Sequence, residues 1–511
     1  GGAVYENRKG SSSVWKADTL VMDYLNGSPY TFGLAVSPTS GETVGMGLVG
    51  FSVIPESSSL PLSTSRIVKR VGFFARDTLA FGRRVSLSLG LRFDRSDTQV
   101  LYIAKGSVGN DVAVSIGTAL INPVYGFNPF GAGAYAQLDS MIVWNSLSPR
   151  FGLSIDLLGT GRTFLRASYA RLPEDLGLGY MKQLDPISPD RIHDFYWYDE
   201  NGDGKVDVND TYVAFPYNYN IYTGLYSRRI APKLRAPVTS EWTAGLEHEL
   251  APDFTLSARY ISRSQKGGIG DVMYDPDTSQ AWYSAQNSPA GWWVPFTTTV
   301  PASEAYPATS VTVYLRSTTA PAAFDRIQSV PELTWKYRGL EFSFRKRMTH
   351  NWQLNGSIVW SRSTGTSGLA TLLSTGMTSA VLTPNSFVNL GADSRSSLDR
   401  PLAIRAMGTV RFKYDFYLSA YYRFMSGSPW GRTVTIVPPA AWAAENGVDV
   451  SPVTVYLETP GSQRHSSFQS TDLRLEKAFL RDGKARWSVY LDVLNLFGDK
   501  YRIIDYNDGT W

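Results

Sequence analysis

Six times along this chain, two runs of alternating apolar and polar residues meet at a turn of two or three residues. Successive pairs are then joined by much longer polar connections. The segment RRVSLSLGLRFD (83–94) is the clearest run. Val85, Leu87, Leu89, Leu91 and Phe93 share one face, and Ser86, Ser88, Gly90, Arg92 and Asp94 share the other. A period of two is that of a β-strand. FTLSARYISR (254–263), WQLNGSIVW (352–360), DFYLSAYYRF (415–424) and RWSVYLDVLNLF (486–497) repeat it. Each has an antiparallel partner just upstream. The turns fall at Phe81-Gly82, Gly159-Thr160-Gly161, Ala251-Pro252-Asp253, Thr349-His350-Asn351, Lys413-Tyr414-Asp415 and Asp482-Gly483. Such residues close hairpins. Residues 98–143, 174–236, 267–331, 365–397 and 429–465 are the long connections, rich in Gly, Pro, Ser, Asn and aromatics.

A soluble sandwich or propeller has no reason to keep every second connection short and the others long. A strand barrel that spans a membrane does, with short turns on one side and long loops on the other. Mean hydropathy is −0.17, and no run approaches the ~18 apolar residues of a spanning helix. A chain of this kind crosses lipid only as a closed barrel, because only helices and barrels satisfy every backbone polar group there. The expected fold is therefore all-β, a transmembrane antiparallel barrel.

The polar face of the hairpins carries Arg92, Asp94, Asp156, Arg166, Glu247, Arg259, Glu341, Arg345, Arg423, Asp472, Arg474 and Glu476. A charged interior implies water or a polar plug. Trp242, Tyr260, Trp352, Trp360, Tyr422 and Trp487 fall on the outward face near strand ends, where an aromatic girdle belongs. The balance of 49 Lys and Arg against 45 Asp and Glu leaves no excess of positive charge for nucleic acid. With no Cys in the chain, disulfides and thiolate metal sites are excluded.

Several stretches resemble the TonB-dependent outer-membrane receptors, and within them the Oar-like subgroup. They are GFFARDTLAFGRRVSLSLGLRFD (72–94), SPRFGLSIDLLGTGRTFLRASYAR (148–171), TDLRLEKAF (471–479) and YLDVLNLFGDKY (490–501), spread from about residue 66 to 500 in the family's order. The resemblance implies a 22-stranded barrel closed by an N-terminal plug and driven by the TonB complex in the outer membrane of a Gram-negative-type cell. Twelve strands after residue 66, with one or two more in residues 1–65 (18–25 and 43–54 are candidates), fall short of that number. The 511 residues are thus expected to be an internal piece of a longer polypeptide. Its partners would be outer-membrane lipid, TonB through a plug outside this chain, and an extracellular ligand that the sequence does not name.

One loop stands apart. DENGDGKVDVND (199–210) matches the spacing of a calcium loop: Asp199, Asn201 and Asp203 at positions 1, 3 and 5, and Gly204 at 6. Lys205 supplies a carbonyl at 7, Val206 is the usual apolar residue at 8, Asp207 acts through water at 9, and Asp210 stands at 12. Calcium is a hard cation that takes six to eight oxygens, and alternating Asp and Asn around a Gly turn supply them. The expectation is a structural Ca2+ that orders the long 174–236 connection. An Asp- and Gly-rich surface loop that binds nothing is the plain alternative.

No catalytic constellation emerges. His193, His248, His350 and His465 are scattered, and neither G-x-S-x-G nor a phosphate-binding loop occurs. Aromatic clusters at 195–199, 281–296 and 440–447 suit the packing of large loops better than a carbohydrate or peptide surface. The leading functional expectation is an energised transporter. A passive porin-like channel with an inward-folded constriction loop is the second, and a surface adhesion or scaffold barrel with calcium-ordered loops is the third.

Overall fold

The computed structural model describes the chain apart from residues 15–19, 23, 26–27, 30, 38–39, 53–61, 103–137, 179, 181–191, 204–209, 215–228, 232–233, 275–280, 282–290, 304–305, 321–323, 367–376, 449, 482–483, 499–506 and 511. Thirteen strands form one antiparallel sheet: β1 (Gly2–Val14), β2 (Leu62–Phe81), β3 (Val85–Tyr102), β4 (Leu138–Asp156), β5 (Thr163–Pro173), β6 (Val238–Ala251), β7 (Phe254–Lys266), β8 (Trp335–Thr349), β9 (Trp352–Gly365), β10 (Leu402–Arg411), β11 (Phe416–Met425), β12 (Phe468–Arg481) and β13 (Lys484–Val493). Each strand pairs with the next in sequence, which leaves β1 and β13 as the sheet's two edges.

The expected turns are the ones observed. His350 and Asn351 both have positive φ (51° and 65°), the signature of the primed turns that follow the right-handed twist of a hairpin. In the turn after β4, Gly159 and Gly161 have φ of 69° and 72°. Their amides donate to Asp156 Oδ1 (3.0 Å) and Oδ2 (2.7 Å). Asp156 therefore caps a turn and does not join the row of lumenal charges expected of it. The turn at 482–483 lies outside the described residues, but Arg481↔Lys484 pairs on its flanks.

Along β2 and β3 the outward rows are apolar from Phe81 back to Val71, except for Asp77 opposite Leu89, and from Val85 to Phe93, and turn polar at Lys69 and Arg95. That is the ten-residue apolar band of a membrane-crossing strand. Phe73, Leu89, Leu91 and Phe93 are exposed along it, as lipid contact demands. Strands of 18 to 20 residues then continue beyond the band on the side of the long loops.

Beyond the wall, the connections build structure of their own. Thr43–Ser52 is a strand, as its alternation suggests, but it pairs with Leu20–Met22, Thr31–Val36 and Ile192–Asp199 in a separate sheet. The wall strand of the N-terminal region is β1 instead, in register with β2 from Gly2↔Phe74 to Val14↔Leu62. Its outward row, Ala3, Tyr5, Asn7, Lys9, is apolar only at its start, so alternation alone does not reveal it. A second loop sheet joins Arg229–Ile230, Phe324–Ser329, Ile269–Tyr274 and Met377–Leu382. Two hairpin-like pairs, Trp293–Val300 with Thr309–Arg316 and Thr433–Ile436 with Val453–Tyr456, share an apolar core that includes Val300, Val311, Val313, Val434, Ile436 and Val455. Residues 440–447, one of the aromatic clusters, are largely the helix Ala440–Asn446. Its Trp442 lies 4.7 Å from the Phe296 ring, so this cluster is internal packing.

Candidate functional site: a charged inner wall under a loop-built cap

Inward positions of the wall pair charge with charge across neighbouring strands. Arg166 meets Glu247 (3.2 Å), Arg259 meets Glu341 (2.6 Å), and Arg474 meets Asp492 (2.6 Å). Arg263 also pairs with Glu241. The register causes these meetings. Arg259 lies opposite Glu341, and Gly245 lies opposite Arg259 with no side chain to obstruct it. Hydroxyls extend the rows, as in Ser168–Thr243 and Ser257–Ser343, both 2.6 Å. At the upper end of the membrane band, Asp94 accepts from Arg70 (3.0 Å) and Arg92 (2.7 Å). Arg70 and Arg8 then reach Asp175 of the loop after β5 (3.1 and 2.6 Å). This wall is hydrophilic, and its contents must be water or a polar body.

The inner wall changes character above that point. Val68, Ile142 and Trp144 point inward and are buried by loop residues Leu176, Tyr180, Leu234, Ile269 and Ile327. Loops thus fold onto the inner face at the mouth. The Trp144 and Tyr180 rings meet edge to face at 5.3 Å. The Tyr180 hydroxyl donates to Glu174 (2.7 Å). Burial pushes the Glu174 carboxyl above the ordinary carboxylate range, against the opposing pull of that hydrogen bond. The Tyr180 phenol is likewise pushed up, chiefly by burial.

Wall and cap are stitched together at Asp399, which is fully buried. Its carboxylate takes the Ser363 amide and the Arg464 guanidinium, each at 2.5 Å. One side chain therefore fixes the tops of β9, the 394–402 connection and the strand entering β12.

Paired β-strands, and not helices, flank the calcium-type loop. Ile192–Asp199 and Thr211–Ala214 pair through Tyr198↔Thr211, which sets Asp199 and Asp210 side by side at the neck. Asp210 accepts from the Trp197 indole (2.8 Å) and the Glu200 amide (3.2 Å). The Asp203 amide donates to Asn201 Oδ1 (2.9 Å) and Asp199 Oδ1 (3.2 Å), curling the first five positions. Hydrogen bonds from Ser37, Thr211 and Ser40 hold the Glu200 carboxyl below its usual range. Lys205 and Asp207 lie outside the described residues. Among the described residues no three His, Cys, Asp or Glu side chains converge as a metal cluster would. Of the histidines, His248 contacts Thr163 (2.9 Å) and His350 sits in its turn.

A family match agrees with this architecture. The family described as "Outer membrane beta barrel domain" matches residues 39–415. The TonB-dependent transporter Oar of Myxococcus xanthus is 25% identical over 271 residues, covering 49% of this chain and 22% of that protein. Among solved structures, the outer membrane transporter YddB of Escherichia coli aligns with a TM-score of 0.43 at 12% identity, covering 90% of this chain and 57% of that one. The ferric citrate transporter FecA aligns with a TM-score of 0.41 at 10% identity, covering 99% and 51%. The chain spans about half the length of these solved structures and less of Oar. Lipid-facing hairpins, a hydrophilic inner wall and a match over most of its length place this chain in the outer membrane beta barrel family, and so in the outer membrane of a Gram-negative cell.

Proposed function

We propose that this chain is the barrel portion of a TonB-dependent transporter, in which extracellular loops capture a ligand and a plugged lumen admits it under energy from TonB. The inner wall is the observation that carries the reading. Four cross-strand ion pairs and the Arg70–Asp94–Arg92 group line it, and such a surface is suited to hold a removable polar body. Similarity to Oar, a TonB-dependent transporter, supports the energised form of the reading. The TonB-engaging plug and the full strand complement would belong to the rest of the intact protein. The test is conductance of the intact protein in planar bilayers, together with its polypeptide mass. A heavy chain that stays closed without energy supports the transporter.

A porin-like channel is the second reading. It is favoured by the loops that fold onto the inner wall at the mouth through Leu176, Tyr180 and Ile269. Steady open conductance without TonB would select it. A scaffold barrel is selected if loop deletions abolish partner binding and leave transport intact.

The loop at 199–210 is proposed to hold Ca2+ in a structural role. Support comes from the spacing, and from the neck that brings Asp199 and Asp210 together with Asn201 and Asp203 above them. Asp210 accepts from Trp197, so that indole is a built-in reporter. Terbium bound there would show Trp-sensitised emission, displaced by calcium and absent in D203A. Emission that is absent, or unchanged in D203A, ends the proposal.

A further inference from the structure

The two-stranded sheet of the cap has an edge that is only half used. Its strand Thr309–Arg316 pairs with Trp293–Val300 on one side. In an antiparallel pair, alternate residues aim their amide and carbonyl at the partner strand and the rest aim them away. Two contacts fix which are which. The Ser317 amide donates back across the hairpin to the Trp292 carbonyl (3.0 Å), whereas the Thr318 amide donates outward to the Gly447 carbonyl (2.8 Å). Odd-numbered residues therefore face the partner strand, and even-numbered residues face out. Tyr314 agrees with this parity. Its amide donates to Asn385 Oδ1 and its carbonyl accepts from Asn385 Nδ2, both at 2.7 Å. A carboxamide standing in for a peptide unit thus occupies this rung.

By the same parity, the main-chain groups of Thr312 and Ser310 form the next two outward rungs. They open into a cleft of about 880 Å³. Phe387, Val388 and Leu390 are part of its apolar lining, and Thr334 and Thr366, at the tops of β8 and β9, line it as well. Thr312 Oγ1 is turned across the hairpin to Thr297 (2.8 Å), so its side chain is held on the sheet face. The Pro384–Phe387 turn that carries Asn385 is itself pinned, because the Thr383 amide donates to Ser386 Oγ (3.0 Å).

The geometry points to a peptide-binding site at this edge. An extended polypeptide segment would add as a strand against Ser310 and Thr312, in line with the Asn385 carboxamide. Its alternate side chains would lie against the apolar lining. Strand addition draws its affinity from main-chain hydrogen bonds and its selectivity from pockets for alternate side chains. The Asn385–Tyr314 contact argues for a peptide occupant, since the edge already accepts one planar amide with donor and acceptor in the spacing a strand presents. This names a ligand class for the loop capture proposed above and rests on that reading. It is measured by binding alone, so its failure is separable from a failure of TonB-driven transport.

The test uses the intact protein in nanodiscs and a fluorescein-labelled hexapeptide of alternating Val and Thr. Its fully N-methylated analogue serves as control, with the same side chains and no backbone donors. Fluorescence anisotropy is expected to show saturable binding of the hexapeptide and about tenfold or greater weakening for the analogue, the size expected when hydrogen bonds are lost and their partners left unsatisfied. T312P removes an outward amide without breaking the hairpin ladder, and it should weaken binding to a similar degree. Hydrogen exchange on the unmodified protein covers the case in which T312P fails to fold. The Thr312 and Ser310 amides should exchange rapidly and slow on adding the hexapeptide, while Tyr314 and Thr318 stay protected throughout. Equal affinity for the two probes, or no saturable binding, overturns the assignment. So does protection of Thr312 and Ser310 in the free protein, which would mean that the chain covers this edge itself.

Discussion

The membrane wall and the extracellular cap are built from the same chain with opposite polarity. In the wall, Leu89, Leu91 and Phe93 point out and remain exposed, while Arg92 and Asp94 point in and pair. In the cap, Val313, Val434 and Ile436 point in and are fully buried, while Thr297 and Thr435 lie on the exposed faces. Both regions obey the period-two rule of strands. They differ in which solvent surrounds them, and that decides which of the two rows is apolar. The wall is held mainly by its backbone ladder and by lipid. The cap is held by cores that its loops assemble from distant segments.

That contrast can be broken most strongly at the stitch between the two regions. D399A leaves the Arg464 guanidinium without its carboxylate partner and the Ser363 amide without its acceptor. Removing one member of a buried ion pair costs about 3–5 kcal/mol. Hydrogen exchange should show the 394–402 and 463–468 segments opening while the lower wall stays protected. Uniform exchange over both regions would show that they are not separable.

Within the cap, I436A should cost about 2–5 kcal/mol, as deletion of a fully buried Ile does. The loss should appear as a lower melting transition for the cap and no change in heat-modifiable migration of the barrel.

The wall should respond the other way round. L91R places a charge on the lipid row, between Ala75 and Pro149 of the neighbouring strands, and should cost about 2–4 kcal/mol near the bilayer midplane. S88R, three residues away on the lumenal row, should be nearly silent. Urea titration of folding into vesicles reads both, and equal effects would contradict the assignment of faces.

The smallest expected effect is one of pH. The folded pKa of Glu174 is raised by burial, so its neutral form favours the folded loop. That contribution is full below the unfolded carboxyl pKa and is lost as pH rises through the raised value. Exchange protection around Leu176 and Tyr180 should therefore fall with rising pH across that window, and E174Q should flatten the dependence. A protection that rises with pH would reverse the sign and refute it.

Much of the wall was legible beforehand because its causes are local. Alternation fixes faces, and residues such as Gly159, Gly161 and Asn351 fix turns. The lumenal charges were legible for the same reason, although Asp156 proved to cap a turn. The β1 strand was not, since Asn7 and Lys9 interrupt its outward row. Of the calcium-type loop, the sequence supplied Asp199, Asn201, Asp203, Lys205, Asp207 and Asp210. It did not reveal that strands flank them, because loop spacing carries no information about its neighbours.

The sequence by itself therefore determined the membrane-spanning hairpins, their order and their polarity, each set by interactions within a few residues of a turn. Only the tertiary structure decided where the long connections go. The inward fold at Leu176 and Ile269, the shared core of residues 293–316 with 433–456, the Asp399 stitch and the half-used edge at Thr312 all join residues far apart in the chain. Such pairings depend on packing and on leftover hydrogen-bonding groups, and no local pattern records them.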